Sequence, residues 1–324
     1  MEIDRLSNLP DTVIFHEVLS RLDTTKEAVK TCVLSKNWTH HWSHVHTLSF
    51  DYKSFKTTTA FEEFVLHVLQ HRQQFINLPK LRFFCGARQS QSLINGVFNH
   101  ATLCELEELE TDVCDFPQSL LECQTLKTLH LGRPCSFINV AADSLNFAWL
   151  KNLQLFRVTI DRSNDHNDLF SGCLNLENLG LTSCQVSNTE IFKINAPRLV
   201  QCLIIDIGYE GLIDISAPEL KRLKFKGTHP LVELRIDNNI TLDEVKLEMS
   251  YPLFSRETNT WKEEPWEYII LLAQWLRSLA KIFFVSFNFY VGEIKLFRDA
   301  SDEKITFVEQ KKDCNGHLTD LPWN

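Results

Sequence analysis

A chain of 324 residues is long enough for two domains or one elongated array, and 44% hydrophobic with 23% charged residues describes an ordinary folded protein. A net charge of −9 argues against binding to nucleic-acid phosphates, which needs a surplus of lysine and arginine on one face. Ten glycines and ten prolines with no low-complexity run argue against a long disordered region.

Asp4, Arg5, Asp11 and Glu17 interrupt every apolar stretch near the N-terminus, so no secretory signal is expected. Pro10 and Asp11 suit the opening of a helix, because proline tolerates the first turn and the acid suits its positive end. Ile14, Val18 and Leu22 follow at four-residue spacing, with Leu19 widening the stripe. Thr24 and Glu27 have capping-box spacing and predict a second helix. Ser35 can cap a third, on which Leu34, Trp38 and Trp42 share a face. Three short helices cannot bury two tryptophans and so many aliphatics well alone, so the module is expected to need a partner or a second domain.

Leu9-Pro10-Asp11, Val18-Leu19-Ser20-Arg21-Leu22 and Val33-Leu34-Ser35-Lys36-x-Trp38 together resemble an F-box over about residues 4 to 44. Asp23 stands where the family commonly has proline, and Asn37 where arginine is frequent. Neither departure removes an apolar anchor. The resemblance implies docking on the Skp-type adaptor of a Skp–cullin–F-box ubiquitin ligase. By position, Leu9, Pro10, Ile14, Val18, Leu19, Leu22, Val33, Leu34 and Trp38 would form or support the adaptor surface. Val18 and Leu22 serve equally as the module's own core. Leu9, Pro10 and Leu34 sit at helix ends, where partner contact is easier.

Behind the module runs the pattern L-x-x-L-x-L. It occurs at Leu126/Leu129/Leu131, Leu150/Leu153/Leu155, Leu176/Leu179/Leu181, Leu199/Cys202/Ile204, Leu220/Leu223/Phe225 and Leu242/Val245/Leu247. First positions step by 24, 26, 23, 21 and 22 residues, the range of leucine-rich repeats, in which each unit gives one strand to a curved parallel sheet. Ile194-Asn195-Ala196-Pro197-Arg198-Leu199 returns 21 residues later as Ile215-Ser216-Ala217-Pro218-Glu219-Leu220. Weaker units begin at Leu106 (with Leu109) and Leu81 (with Phe84), and Leu279/Ile282/Phe284 is a late one. A polar stretch from Tyr251 to Pro265 precedes a helix over about Trp266 to Ala280, with Ile269, Leu272, Trp275, Leu276 and Leu279 on its apolar stripe. Arg277 and Lys281 make the run Tyr268 to Val291 costly in lipid, so it is expected to be a soluble helix followed by a strand.

Module and repeats together resemble the plant-type F-box/leucine-rich-repeat proteins. The expected fold is α/β: a three-helix F-box (1–50), a helical linker (51–75), a leucine-rich-repeat solenoid (76–290) and a tail (291–324) that is either a terminal hairpin or a truncated remnant of a C-terminal domain.

Other chemistry is weakly signalled. His40, His41, His44 and His46 invite a metal reading, but a third fixed ligand is missing. The acid-rich Asp161 to Phe170 stretch lacks the glycine and terminal glutamate of a calcium loop. No hydrolase elbow, Walker or dinucleotide fingerprint occurs, so no catalysis and no cofactor are expected. Ten cysteines without a C-x-x-C pair are expected to be reduced thiols, placing the chain in cytoplasm or nucleus. The expected role is a non-catalytic substrate receptor that binds the adaptor, and through it cullin, and a target protein, with neither nucleic acid nor membrane as partner. The alternative is a non-degradative scaffold. Residues alternating with the repeat leucines face the concave side of the sheet. They include Thr128, His130, Asn152, Gln154, Arg222, Lys224 and Lys226 as candidate target contacts. The basic ones are suited to an acidic or phosphorylated segment.

Overall fold

The computed structural model describes residues 9–73, 76–86, 89–132, 138–140, 145–161, 169–209, 211–227, 233–236, 242–249, 254–255, 260–261, 284–289, 292–298, 305–312 and 318–321. The chain divides into two compact units, residues 1–138 with 146–153, and 139–145 with 154–324. The helix expected over Trp266 to Ala280 and most of the 161–170 loop lie outside the described residues.

The first unit opens with three helical segments of irregular geometry. Asp11–Val13 is α-helical, Ile14–Val18 makes one π turn, and Leu19–Arg21 finishes as a 3₁₀ turn. The wider π turn brings residues five apart onto one face. Ile14 and Leu19 therefore point inward while Val18 and Leu22 stay half-buried, in place of the expected four-residue stripe. The second segment, Thr25–Lys30, is capped as its spacing predicts, with the Glu27 N–H donating to Thr24 Oγ1 at 3.3 Å. The third, Lys36–His44, is a 3₁₀ helix. It is rich in Asn, Trp, Thr, His and Ser, which are mediocre α-formers. Ser35 is extended at its start, without a side-chain cap bond. Trp38 and Trp42 are both buried, as their spacing implies.

The parallel sheet of this unit begins at Thr47, inside the span that the sequence assigns to the N-terminal module. Thr47–Asp51 pairs in parallel with Lys80–Phe84, that strand with Glu108–Thr111, and that with Thr128–Gly132. Leu48 aligns with Leu81 and Leu109, and Leu109 with Leu129. The earliest repeats therefore read Val45/Leu48/Phe50 and Leu78/Leu81/Phe83, and all six of these side chains are buried. The second differs from the expected Leu81/Phe84 register by three residues. Helices Thr58–His71 and Gln91–Leu103 cover the return path, each N-capped by a hydroxyl, Thr57 for Ala60 N–H and Ser90 for Leu93 N–H. A chain of ring contacts runs through the core, Phe50 to Phe83 to Phe98 to Phe116 to Phe147, at centroid separations of 5.2 to 6.4 Å. The second helical segment is tied to this sheet: Ser49 N–H donates to Thr25 Oγ1 at 2.7 Å, and Lys26 Nζ lies 4.0 Å from the Phe55 ring centroid.

In the second unit, Asn178–Thr182, Gln201–Ile205, Arg222–Gly227, Glu244–Met249 and Phe284–Phe289 form successive parallel strands. The return path differs from that of the first unit, because strands replace helices. Ile191–Asn195 pairs in parallel with Leu212–Ser216, and that with Glu233–Ile236. The local sequence explains the change. Ile191-Phe192-Lys193-Ile194-Asn195 alternates strictly between exposed and buried, the period of a strand. The internal repeat noted above holds in space, with Ile194 opposite Ile215. Three equivalent turns after the strands place Arg157, Ser183 and Asp206 at φ values of 53, 52 and 49°, each donating its N–H to the next repeat. The tail is a meander: Phe284–Phe289, Gly292–Arg298, Ile305–Lys312 and Leu318–Leu321 pair antiparallel in sequence.

Among the described residues no helix is long and apolar enough to cross a membrane. Eight described cysteines are free thiols, and Cys85, Cys173, Cys184 and Cys202 are buried. Burial pushes the Cys202 thiol up to about 12 and Cys184 up to about 11. Burial, helped by the charges of Asp112 and Asp115, pushes Cys114 up to about 12. These thiols stay protonated near neutral pH and react poorly. Adding reductant is therefore expected to leave the thermal midpoint within about 1 °C, since no cross-link is there to break among the described residues. A fall of several degrees in a melting scan would count against this.

Candidate interaction surfaces

On the N-terminal module, sequence places nine residues at one surface, and the structure sorts them by depth. Ile14, Leu19 and Trp38 are interior, with Trp38 only 1% exposed and the His41 ring edge-on to it at 5.7 Å. They support a surface rather than form one, because short helices of this size need their largest side chains as core. Leu9, Val18 and Leu22 are half-buried and Pro10 is exposed. Val33 and Leu34 stand out at 83% and 54% exposed. They occupy the turn where Thr31–Val33 closes the second segment, just ahead of the third. An adjacent valine and leucine both held in water form an exposed apolar pair.

The histidine cluster is engaged locally. His44 Nδ1 lies 3.2 Å from the His40 carbonyl and His46 Nδ1 lies 3.3 Å from that of Asn77. Among the described residues no three His, Cys, Asp or Glu side chains gather as a metal set.

Each unit also has a sheet face opposite its buried leucines. In the first unit it carries Lys80, Glu108 and Thr128 in one row and Arg82, Glu110 and His130 in the next. Lys80 Nζ meets Glu108 Oε1 at 2.6 Å and Arg82 Nε meets Glu110 Oε2 at 2.7 Å. His130 Nε2 is 4.0 Å from Glu108, and Asn152 donates to Thr128 Oγ1 at 3.0 Å. Thr128, His130 and Asn152 thus share one half-buried face. The two cross-strand ion pairs were not anticipated, although a Lys-x-Arg strand beside a Glu-x-Glu strand was the available signal.

In the second unit the rows are Asn178, Gln201, Arg222, Glu244 and then Gly180, Leu203, Lys224, Lys246. Lys226 aligns with Ile205 and Thr182 in a third. Arg222 is exposed, and Lys224 and Lys226 are half-buried. The Gln154 amide lies over the gap in the sheet face at Gly180, its Oε1 only 1.8 Å from where a Cβ would stand.

Parallel strands that repeat every 21 to 26 residues around a leucine ladder define a leucine-rich-repeat protein. Residues 91–246 match the family of the leucine-rich repeats of the FBD-associated F-box protein At5g56370. The chain is 31% identical over 255 residues to the F-box/LRR-repeat protein At3g26922 of Arabidopsis thaliana, covering 72% of this chain and 79% of that protein. It is 30% identical over 260 residues to the putative FBD-associated F-box protein At1g55030 and 32% identical over 236 residues to the F-box/FBD/LRR-repeat protein At3g52680, both of the same plant. Those alignments take in 75% and 68% of this chain but only 58% and 50% of the relatives' own lengths. No solved structure matches. The chain belongs to the plant F-box/LRR-repeat family.

Proposed function

We propose that this chain is a non-catalytic substrate receptor of a Skp–cullin–F-box ubiquitin ligase. Val33 and Leu34, with Leu9, Pro10, Val18 and Leu22 around them, take the Skp-type adaptor, while Ile14, Leu19 and Trp38 hold that surface in shape. The sheet faces offer contacts for the target, Thr128, His130 and Asn152 in the first unit and Gln154, Arg222, Lys224 and Lys226 in the second. The chain then supplies proximity: a target lysine held near a charged conjugating enzyme reacts as if at high local concentration. The observation that carries the reading is the water-exposed Val33–Leu34 pair in a chain of this family.

The test is co-expression of the tagged full chain with a plant Skp-type adaptor and cullin. The adaptor is expected to co-purify in equal amount, bringing cullin with it. An adaptor that stays in the flow-through at micromolar concentration would refute the receptor role.

A further inference from the structure

Of the described cysteines one stands apart by its neighbours. Cys104 ends helix Gln91–Leu103 as its C-cap, half-buried between Leu103, which is 86% exposed, and Glu105, also exposed. Its carbonyl accepts from Leu78 N–H at 2.7 Å, which ties it to the start of the Leu78/Leu81/Phe83 repeat. Its sulfur lies 3.7 Å from Arg72 Nη1 and 3.8 Å from His100 Nε2. Arg72 is only 3% exposed, and among the described residues no carboxylate pairs with it. Glu105, next in the chain, accepts from Asn77 Nδ2 at 2.6 Å. The Arg72 Nε–H is buried without an acceptor among the described residues. A buried cation with a donor left over favours a stronger, charged acceptor beside it. Sulfur is a weak acceptor for that charge, and an oxygen carried on the same sulfur is a much better one.

We infer that Cys104 is a modification site, a peroxide-reactive thiol that is oxidised to the sulfenic acid between Arg72 and His100. The site stands independently of the receptor reading. Burial, and then the charge of Arg72, hold the His100 pKa below the usual histidine value. The ring is therefore neutral near neutral pH and can take the thiol proton on Nε2. The sulfur then attacks one oxygen of hydrogen peroxide. The S–O bond forms as the O–O bond breaks, and the departing hydroxide recovers the proton from His100 and leaves as water. Sulfur gives up two electrons and the peroxide accepts them. Arg72 steadies negative charge on the sulfur before the step and donates to the new oxygen after it. The other described thiols have a different setting. Cys85, Cys173, Cys184 and Cys202 are buried, and Cys114 faces the charges of Asp112 and Asp115. Cys32 and Cys123 are half-buried like Cys104, and Cys123 Sγ meets the Thr125 hydroxyl at 3.2 Å. Those two are the internal comparison at similar depth, because susceptibility to peroxide follows charge on sulfur as well as exposure.

The test treats the reduced full chain with hydrogen peroxide and dimedone, which traps sulfenic acids, and follows each cysteine peptide by mass spectrometry. Cys104 is expected to be labelled at least about tenfold faster than Cys32 or Cys123. His100→Gln, at a half-buried helix position, is expected to slow Cys104 several-fold and leave Cys32 and Cys123 as they were. Arg72→Met is expected to slow it at least as much, and if that variant does not fold, His100→Gln carries the test. The advantage of Cys104 should vanish in concentrated urea, where the three side chains are dispersed. Labelling of Cys104 no faster than the comparison thiols overturns the inference. So does a Cys104 rate that either folded variant leaves unchanged. An advantage that survives urea overturns it as well, because local sequence alone would then explain it.

Discussion

Val33→Asp combined with Leu34→Asp is expected to abolish adaptor co-purification while leaving the melting temperature of the chain near that of the parent. The two side chains are 83% and 54% exposed, so little packing is lost when they change, and surface substitutions usually shift stability by no more than about 0.5 kcal/mol. At an interface the same positions behave differently. Truncating a buried apolar anchor commonly costs about 2 kcal/mol or more. Two carboxylates forced into a desolvated apolar contact add a further penalty, because nothing there pairs them. Trp38→Ala is the informative contrast. Its indole is 1% exposed, and removing it is expected to cost about 3–5 kcal/mol of folding stability, taking adaptor binding with it. Leu9→Ala with Pro10→Ala, at a half-buried and an exposed position, should weaken binding with only a small loss of fold. Parallel titration of adaptor and thermal melts separate the three cases. Undiminished adaptor affinity in the aspartate pair, with the fold intact, would remove Val33 and Leu34 from the interface.

The repeat was legible from residue 126 onward because each unit spends two or three leucines on buried positions, and burial of a leucine is strongly selected by its transfer energy. The earlier units were harder to read for physical reasons. Val45/Leu48/Phe50 uses valine and phenylalanine in leucine positions, and it follows the Trp42 segment so closely that its strand reads as part of the module. At Leu106/Leu109/Thr111 the last apolar place is held by a threonine, fully buried because its hydroxyl donates to the Phe83 carbonyl and accepts from Val113 N–H. A polar residue so satisfied is invisible to a hydrophobic pattern. In the N-terminal module the sequence placed the helical segments, but not which residues lie inside. The π turn at Ile14–Val18 moves the stripe by one residue, and a spacing argument built on 3.6 residues per turn cannot foresee it. The cationic strand was visible as Arg222-x-Lys224-x-Lys226. Its apolar neighbour became visible only through the register that sets Leu203 beside Lys224.

Arg72 gives the largest expected effect on stability from a single polar residue. It follows the last residue of helix Thr58–His71 and is only 3% exposed. Its guanidinium gathers backbone carbonyls. Nη1 donates to Ile76 O at 2.8 Å, and Nη2 donates to Asn77 O at 3.0 Å and Val45 O at 3.2 Å. Nη1 also lies 3.7 Å from Cys104 Sγ. Burial holds the pKa of Arg72 below the usual guanidinium value, with Cys104 acting in the opposite sense. One side chain therefore joins the exit of the helical module at Val45 to the turn that leads into the Lys80–Phe84 strand. Arg72→Met keeps most of the apolar stem and removes the donors to the Val45, Ile76 and Asn77 carbonyls. Each lost bond to a charged donor is worth about 1.5–3 kcal/mol, and relief of the buried charge offsets part of that, so the net loss is expected near 3 kcal/mol. Arg72→Lys should recover little, because one ammonium cannot occupy the positions of two fork nitrogens that reach carbonyls at Val45 and at Ile76 and Asn77. Urea unfolding followed by circular dichroism measures both variants. A loss below about 0.5 kcal/mol for Arg72→Met would show that desolvation cancels the fork and that apolar packing alone holds the module against the first repeat.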